Sequence, residues 1–234
     1  MTLPFLRRLH KWVALVVGLQ IVLWCVSGTM FAWLDHNRVS GDHFVRKVAA
    51  PSIPGGRAAV DPRRWRTLGL AGLHEISLQP LGERWVYRLA HAGGVDLFDA
   101  YRGDPVRVDE ATVRAIARAR YTGSGDVADA VLHPSKTLET RDHGAAWAVH
   151  FNDVAGTTLW LSAEDATLLE VRSDSWRLFD FFWMLHTMDY AGRDDFNHPL
   201  VILAATSTLW VALTGVLLVV RLYRPRREAA AVRP

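Results

Sequence analysis

Two long apolar runs bracket the chain. The first, WVALVVGLQIVLWCVSGTMFAWL (Trp12 to Leu34), has 23 residues, no charge and one polar amide, Gln20. The second, PLVILAATSTLWVALTGVLLVV (Pro199 to Val220), has 22 residues and no charge. Both exceed the roughly 18 residues that mark a membrane-spanning helix. A cleavable signal peptide has an apolar core of about 7–15 residues and a small-x-small site after it. The first run is longer and lacks such a site, so it reads as a retained anchor. Gln20 is costly in lipid and is expected to face a partner helix.

Between these runs the period changes to two. ERWVYRLAHAGGVDLFDAYRGDPVRV (Glu83 to Val108) and AAWAVHFNDVAGTTLWLSAEDATLLEV (Ala145 to Val171) form a weak internal repeat. With Trp85 placed over Trp147, VYRLA falls over AVHFN and VDLFDA over TTLWLSA. Each copy has two alternating runs around a glycine-containing turn, the pattern of a hairpin with one buried face. DEATVRAIARAR predicts a helix after the first copy, with Asp109 as cap, Glu110 in the first turn and Val113, Ile116 and Ala117 as its apolar stripe. VDPRRWRTLGLAG predicts an earlier helix, with Asp61 as cap and Pro62 at its first position. The fold class is therefore α+β: two transmembrane helices flanking two small units, each a helix laid on an antiparallel sheet.

One further segment, RLFDFFWMLHTMDY (Arg177 to Tyr190), carries nine large apolar residues in fourteen. It is too short to span a bilayer. As a helix it puts Trp176, Phe179, Trp183 and His186 on one stripe, with Arg177 and Asp180 as an i,i+3 pair on another side. That pattern predicts an amphipathic helix in the membrane interface over 176–190, with His186 near the outer surface. The polar turn AGRDDFN follows, and His198 is placed to cap the second span before Pro199.

Charge orients these elements. Arg7, Arg8 and Lys11 precede the first span without an acid; Arg221, Arg224, Arg226, Arg227 and Arg233 follow the second against Glu228. Residues 35–198 hold 19 basic and 23 acidic residues. Basic flanks stay in the cytoplasm. The expected order is a cytoplasmic tail (1–11), a span (12–34), an outer domain (35–175), an interfacial helix (176–190), a second span (199–220) and a basic cytoplasmic tail (221–234). The flanking arginines are accounted for by topology and lipid headgroups, so the basic pI implies no nucleic acid. Ala204, Thr208 and Ala212 repeat every four residues on the second span, with Ser207 and Gly215 nearby, which suits close helix pairing and a four-helix homodimer.

The chemistry narrows quickly. The single cysteine, Cys25, lies inside the first span, which excludes an intrachain disulfide and iron–sulfur or thiolate zinc sites. No Gly-x-Ser-x-Gly, His-Glu-x-x-His or P-loop is present, and no nucleophile stands out. Three histidines cluster at the outer level, His36, His186 and His198, with His10 at the inner end. His10 and His36 are 26 residues apart, about 39 Å along a helix, and cannot share one metal. Each also has a plain structural reading: His10 as an interfacial anchor, His36 as polar trim, His198 as a helix cap, His186 as a hydrogen-bonded core residue. Of the outer-domain histidines only His143 and His150 are close in sequence, which is weak evidence for a metal site.

DLFDAYRGDPVRV resembles the end of a PepSY repeat, in which a strand leads into an Asp-x-x-x-Gly turn and a further strand. SAEDATLLEV departs from it with Ala166 in the glycine position, so a different turn is expected there. LRRLHKWVALVVGLQIVLWCVSGTMFAWLD resembles the first helix of PepSY-associated transmembrane proteins, with its Arg-x-x-His-x-Trp entry and outer Ser-Gly. WRLFDFFWMLHTMDY with FNHPL resembles the stretch leading into that family's last helix. The resemblance implies an inner-membrane protein with a periplasmic domain that binds b-type haem and passes electrons outward, for instance in metal or siderophore reduction. It implies His186 with His36 or His198 as outer ligands. His10 would need a ligand from a symmetric dimer or another subunit. No flavin or nucleotide motif accompanies these, so a separate flavoprotein would be a partner. The alternative is a non-enzymatic, membrane-anchored binding module that docks a periplasmic protein.

Overall fold

The computed structural model describes residues 3–53 and 59–223. The basic residues Arg224, Arg226, Arg227 and Arg233, on which part of the charge reading rests, lie outside the described residues. The chain divides into two compact units, one built on Leu34–Phe179 and the other on the two terminal stretches, through Trp33 and from Asp180.

The terminal unit is an antiparallel helix pair. Helix α1 spans Leu3–Trp33 and α5 spans Pro199–Tyr223. Both are long and apolar enough to cross a membrane. Residues Leu6, His10, Val13, Val17, Gln20, Trp24, Ser27 and Phe31 follow one another at alternating steps of four and three, which lines them along one face of α1. The three buried residues of α1, Leu6, Val17 and Ser27, all lie on this face. Leu15, Val16, Leu19, Leu203, Leu213 and Val216 remain exposed on the other sides. Apolar surface of that extent is stable where lipid replaces water.

The other unit holds two four-stranded antiparallel sheets. The first has β1 (Glu75–Leu81), β2 (Arg84–His91), β3 (Gly94–Asp99) and β4 (Pro105–Val106) in sequence order. The second has β5 (Val127–His133), β6 (Ala146–Phe151), β7 (Thr158–Ser162) and β8 (Leu168–Arg172), also in order. Trp85 and Trp147 are each the second residue of the second strand in their sheet, as the repeat predicts. Two five-residue-or-longer strands, β1 and β5, precede the repeated hairpins. A short helix α2 (His36–Ser40) opens this unit.

Helix α3 (Glu110–Arg120) forms where expected, and the Asp109 side chain accepts from the Thr112 N–H. The earlier segment differs. Pro62–Leu68 is a 3-10 helix rather than an α-helix, although Asp61 caps it and Pro62 opens it. Its Trp65 stacks on Phe98 at 4.4 Å and buries against Tyr87, Leu89 and Ala100 on the far face of the first sheet. The two repeats also share one core rather than making two. Leu81, Val86 and Leu97 of the first half meet Val149, Leu159 and Leu161 of the second around Val113, Ile116 and Ala117 of α3. Arg88 and Asp165 join the halves at 2.9 Å.

The two repeat turns are the same turn, contrary to the expectation from Ala166. In the first, Asp99 Oδ1 accepts from the Tyr101 and Arg102 N–H groups, and Gly103 N–H donates to the Asp99 carbonyl. In the second, Ser162 Oγ accepts from Glu164 and Asp165, and Ala166 N–H donates to the Ser162 carbonyl. Gly103 has φ +79° and Ala166 has φ +56°. Alanine tolerates the left-handed region at a cost of about 1–2 kcal/mol, and here its methyl group is buried in the shared core.

Helix α4 (Asp174–Thr187) follows β8. Its first residues are tied to the second sheet: Trp176 lies under the Arg172 guanidinium at 4.0 Å, and Arg177 reaches Glu139 at 2.8 Å and Asp174 at 3.0 Å. Asp180 takes Arg193 as its partner, at 2.5 Å. The i,i+3 pairing of Arg177 with Asp180 expected from sequence gives way to these contacts.

Gly103→Ala tests the turn. A Cβ there would sit 3.2 Å from Arg64 Nη1 and 3.3 Å from Trp65 Cη2, at a left-handed φ. The substitution is expected to destabilise the sheet unit by about 1–3 kcal/mol, read as a lower thermal midpoint in tryptophan fluorescence.

Candidate functional site

Two imidazoles in the terminal unit are held in the same way. His186 Nδ1 lies 2.8 Å from Ser27 Oγ. That hydroxyl also lies 2.8 Å from the Leu23 carbonyl, four residues earlier on α1. A serine hydroxyl has one hydrogen, so it donates to one of these two and accepts from the other. With the hydroxyl hydrogen on the Leu23 carbonyl, His186 carries its proton on Nδ1 and Nε2 is a lone pair; with the hydrogen on Nδ1 the tautomer is the other one. His10 repeats the arrangement. Its Nδ1 lies 2.8 Å from Thr214 Oγ1, and that hydroxyl lies 2.8 Å from the Trp210 carbonyl. Neither Nε2 has a hydrogen-bond partner among the described residues.

The surroundings of His186 are aromatic. Its carbonyl, in the last turn of α4, accepts from Trp24 Nε1–H at 2.8 Å, which satisfies one of the carbonyls a helix end leaves open. Phe31 meets the ring edge-on at 5.4 Å, and Trp183 lies 6.2 Å from the same phenyl ring. The predicted stripe thus holds for Trp183 and His186. Ser27 is six residues before the end of α1, so the imidazole docks about 9 Å back from that end. Burial pushes the His186 pKa below the ordinary imidazole value, which keeps the ring neutral and its lone pair available.

The connection from α4 to α5 fixes this geometry. Asp189 Oδ1 accepts from Ala191 and Gly192, and Oδ2 from Asp194 and Asp195. Trp183 Nε1–H donates to the Arg193 carbonyl at 3.0 Å, and Trp183 packs edge-on against Phe196 at 4.7 Å. Burial acts to raise the Asp189 carboxyl, but the four N–H groups outweigh it and hold it at about 2.

The remaining candidates take other positions. His198 caps α5, with Nδ1 accepting from Leu200 N–H at 3.4 Å. His36 is exposed at the start of α2, within the sheet unit, and Asp35 caps that helix. His10 and Ser27, the anchor of His186, are 17 residues apart on α1, about 25 Å. His143 pairs with Glu170 at 3.6 Å and His150 with Thr158 at 2.9 Å. Among the described residues no group of three or more His, Cys, Asp or Glu side chains is arranged to hold a metal ion. Gln20 lies on the same face of α1, its amide nitrogen buried without a partner among the described residues. Ser27 and Thr214 escaped the sequence reading. Ser27 belongs to the Ser-Gly of the first-helix resemblance, whereas nothing local singles out Thr214. No family model matches the chain, nor does any curated protein or solved structure.

The Asp189 loop makes a pH prediction. An unfolded aspartate titrates near 3.9. The folded value is lower, so the stabilisation is fully present above about 4 and lost as pH falls toward about 2. The protection of the Ala191, Gly192, Asp194 and Asp195 amides, taken relative to their intrinsic exchange at each pH, is expected to fall across that window. Asp189→Asn should show fast exchange at these amides at neutral pH.

Proposed function

We propose that the chain is a membrane-anchored subunit for electron transfer that binds b-type haem through His186 and His10. The observation that carries this reading is the shared setting of the two imidazoles: Nδ1 within 2.8 Å of a helix hydroxyl, and Nε2 without a hydrogen-bond partner among the described residues. The Nδ1–H tautomer of that setting is the one an iron ligand needs, with the hydroxyl as the outer partner that fixes ring direction. Haem, when bound, would supply reversible one-electron chemistry at its iron.

The donor set fits this group one ligand at a time. A b-type haem commonly takes two axial histidines, and each of these sites offers one. The 17-residue spacing along α1 keeps the two sites apart, so His10 and His186 would not share one iron. Trp24, Phe31 and Trp183 form an apolar wall beside His186 that limits water and favours a neutral ring. The resemblance to PepSY-associated transmembrane proteins supports the same reading. The basic residues at both ends support cytoplasmic termini in a bacterial inner membrane, with the sheet unit in the periplasm.

The test is an absorption spectrum of the full chain, extracted in mild detergent from haem-replete cells, before and after dithionite. A Soret band that sharpens on reduction, with resolved α and β bands, is expected. His186→Ala and His10→Ala should each remove part of the band. Ser27→Ala should leave haem bound but shift its midpoint potential, because Nδ1–H loses its acceptor. A chain without visible absorption would overturn the haem reading in favour of a docking module.

A further inference from the structure

The four outer edges of the two sheets are not alike. Strand β1 contains Pro80 and begins with Glu75, features that discourage pairing. Strand β4 has two residues and starts with a proline. Strand β8 is contacted by α2, and its Glu170 and Arg172 are paired to each other. Strand β5 shares part of this: α3 contacts it, Asp129 lies 3.9 Å from His150, and Pro134 follows it. It pairs with β6 alone, and its outward backbone groups have no partner among the described residues. Val131 is 43% exposed and Leu132 47%.

The regular part of β5 is short and bounded. Its register slips between Val127 and Asp129, which makes Ala128 a bulge, and Pro134 follows the last residue. Five residues, Asp129, Ala130, Val131, Leu132 and His133, remain able to pair. That stretch complements itself. An antiparallel two-fold through Val131 sets Val131 against its own copy, Ala130 against Leu132, and Asp129 against His133 at both ends. Asp129, Val131 and His133 share one face of the strand, so each acid meets an imidazole on the same side. A two-fold through Ala130 would set Asp129 against Val131, and one through Leu132 would set Val131 against His133. Only the Val131 register pairs charge with its complement and apolar with apolar.

We propose that β5 is a self-association edge, through which two copies of the chain join their second sheets into one eight-stranded sheet. The edge pairs whether or not haem is bound, so this inference stands apart from the function above. Cysteine crosslinking reads the register directly. In a Cys25→Ser background, Val131→Cys would face itself at about 4.5–5.5 Å between Cα atoms, within the range a disulfide spans. Under mild oxidant in nanodiscs it is expected to form a covalent dimer. Val154→Cys, on a fully exposed turn, serves as the control and should not. Native mass spectrometry of the detergent-solubilised chain should show a dimer, and Val131→Lys, which sets two lysines face to face, should weaken it by roughly tenfold or more. Asp129→His combined with His133→Asp keeps the complement and should preserve the dimer. Crosslinking at Val131 no faster than at Val154, or a dimer unchanged by Val131→Lys, would overturn the proposal.

Discussion

A side-chain hydroxyl that has spent its hydrogen on its own helix can only accept. Ser27 and Thr214 each lie 2.8 Å from the carbonyl four residues back, and with the hydrogen placed there the rest of the candidate site follows. A serine or threonine in a helix with apolar surroundings bonds the carbonyl four residues back where no water is there to take its proton. The lone pairs that remain then select one tautomer of whichever imidazole meets them. Moving either hydroxyl to an exposed, hydrated position would free its proton, and the imidazole would lose the constraint that leaves Nε2 open. The two sites are thus built by the apolar environment as much as by the histidines. Gln20, whose buried amide nitrogen has no partner among the described residues, sits on the face shared with His10 and Ser27.

His186 depends on a second device. Its helix ends where Trp24 takes its carbonyl, and the chain beyond is wound around the Asp189 carboxylate. One acid receiving four N–H groups replaces the backbone pairing that a strand or helix would have given the turn. Met188 and Arg193 take left-handed backbone within this loop, at φ +57° and +60°, although neither is glycine. The strain is outweighed by the charge-assisted hydrogen bonds at the centre, each stronger than a neutral one. Rigidity at His186 therefore rests on a polar knot that carries no ligand itself.

Much of this was legible from periodicity. The two long apolar helices, the paired hairpins with Trp85 over Trp147, and α3 with its Asp109 cap all follow from local pattern, because each is stabilised by contacts near in sequence. The misses have a common cause. Cap and proline signals at Asp61 and Pro62 predict a helix start but are shared by α and 3-10 helices, so they do not fix the winding of Pro62–Leu68. The Ala166 turn was expected to differ because left-handed propensity was weighed without the buried methyl and the Ser162 bonds that offset it. Arg177 was given to Asp180 by spacing alone, while Glu139, thirty-eight residues earlier, offered a better carboxylate. The His10–Thr214 contact joins residues 204 apart, and no local rule finds it.

The repeat also shows how two copies of one pattern come to carry different edges. Both sheets open on a seven-residue strand that the hairpin pattern does not include, β1 in one and β5 in the other. In the first, proline and an acid close the edge. In the second, the bulge at Ala128 and Pro134 shorten the edge without closing it, and they trim it to the five residues that complement themselves. A strand left open by accident would have no reason to place its acid and its imidazole at equal distances from an apolar centre. Open edges invite any passing strand, and a stretch with a single favourable register restricts that invitation to its own copy. The same trimming that limits unwanted pairing thus makes β5 selective.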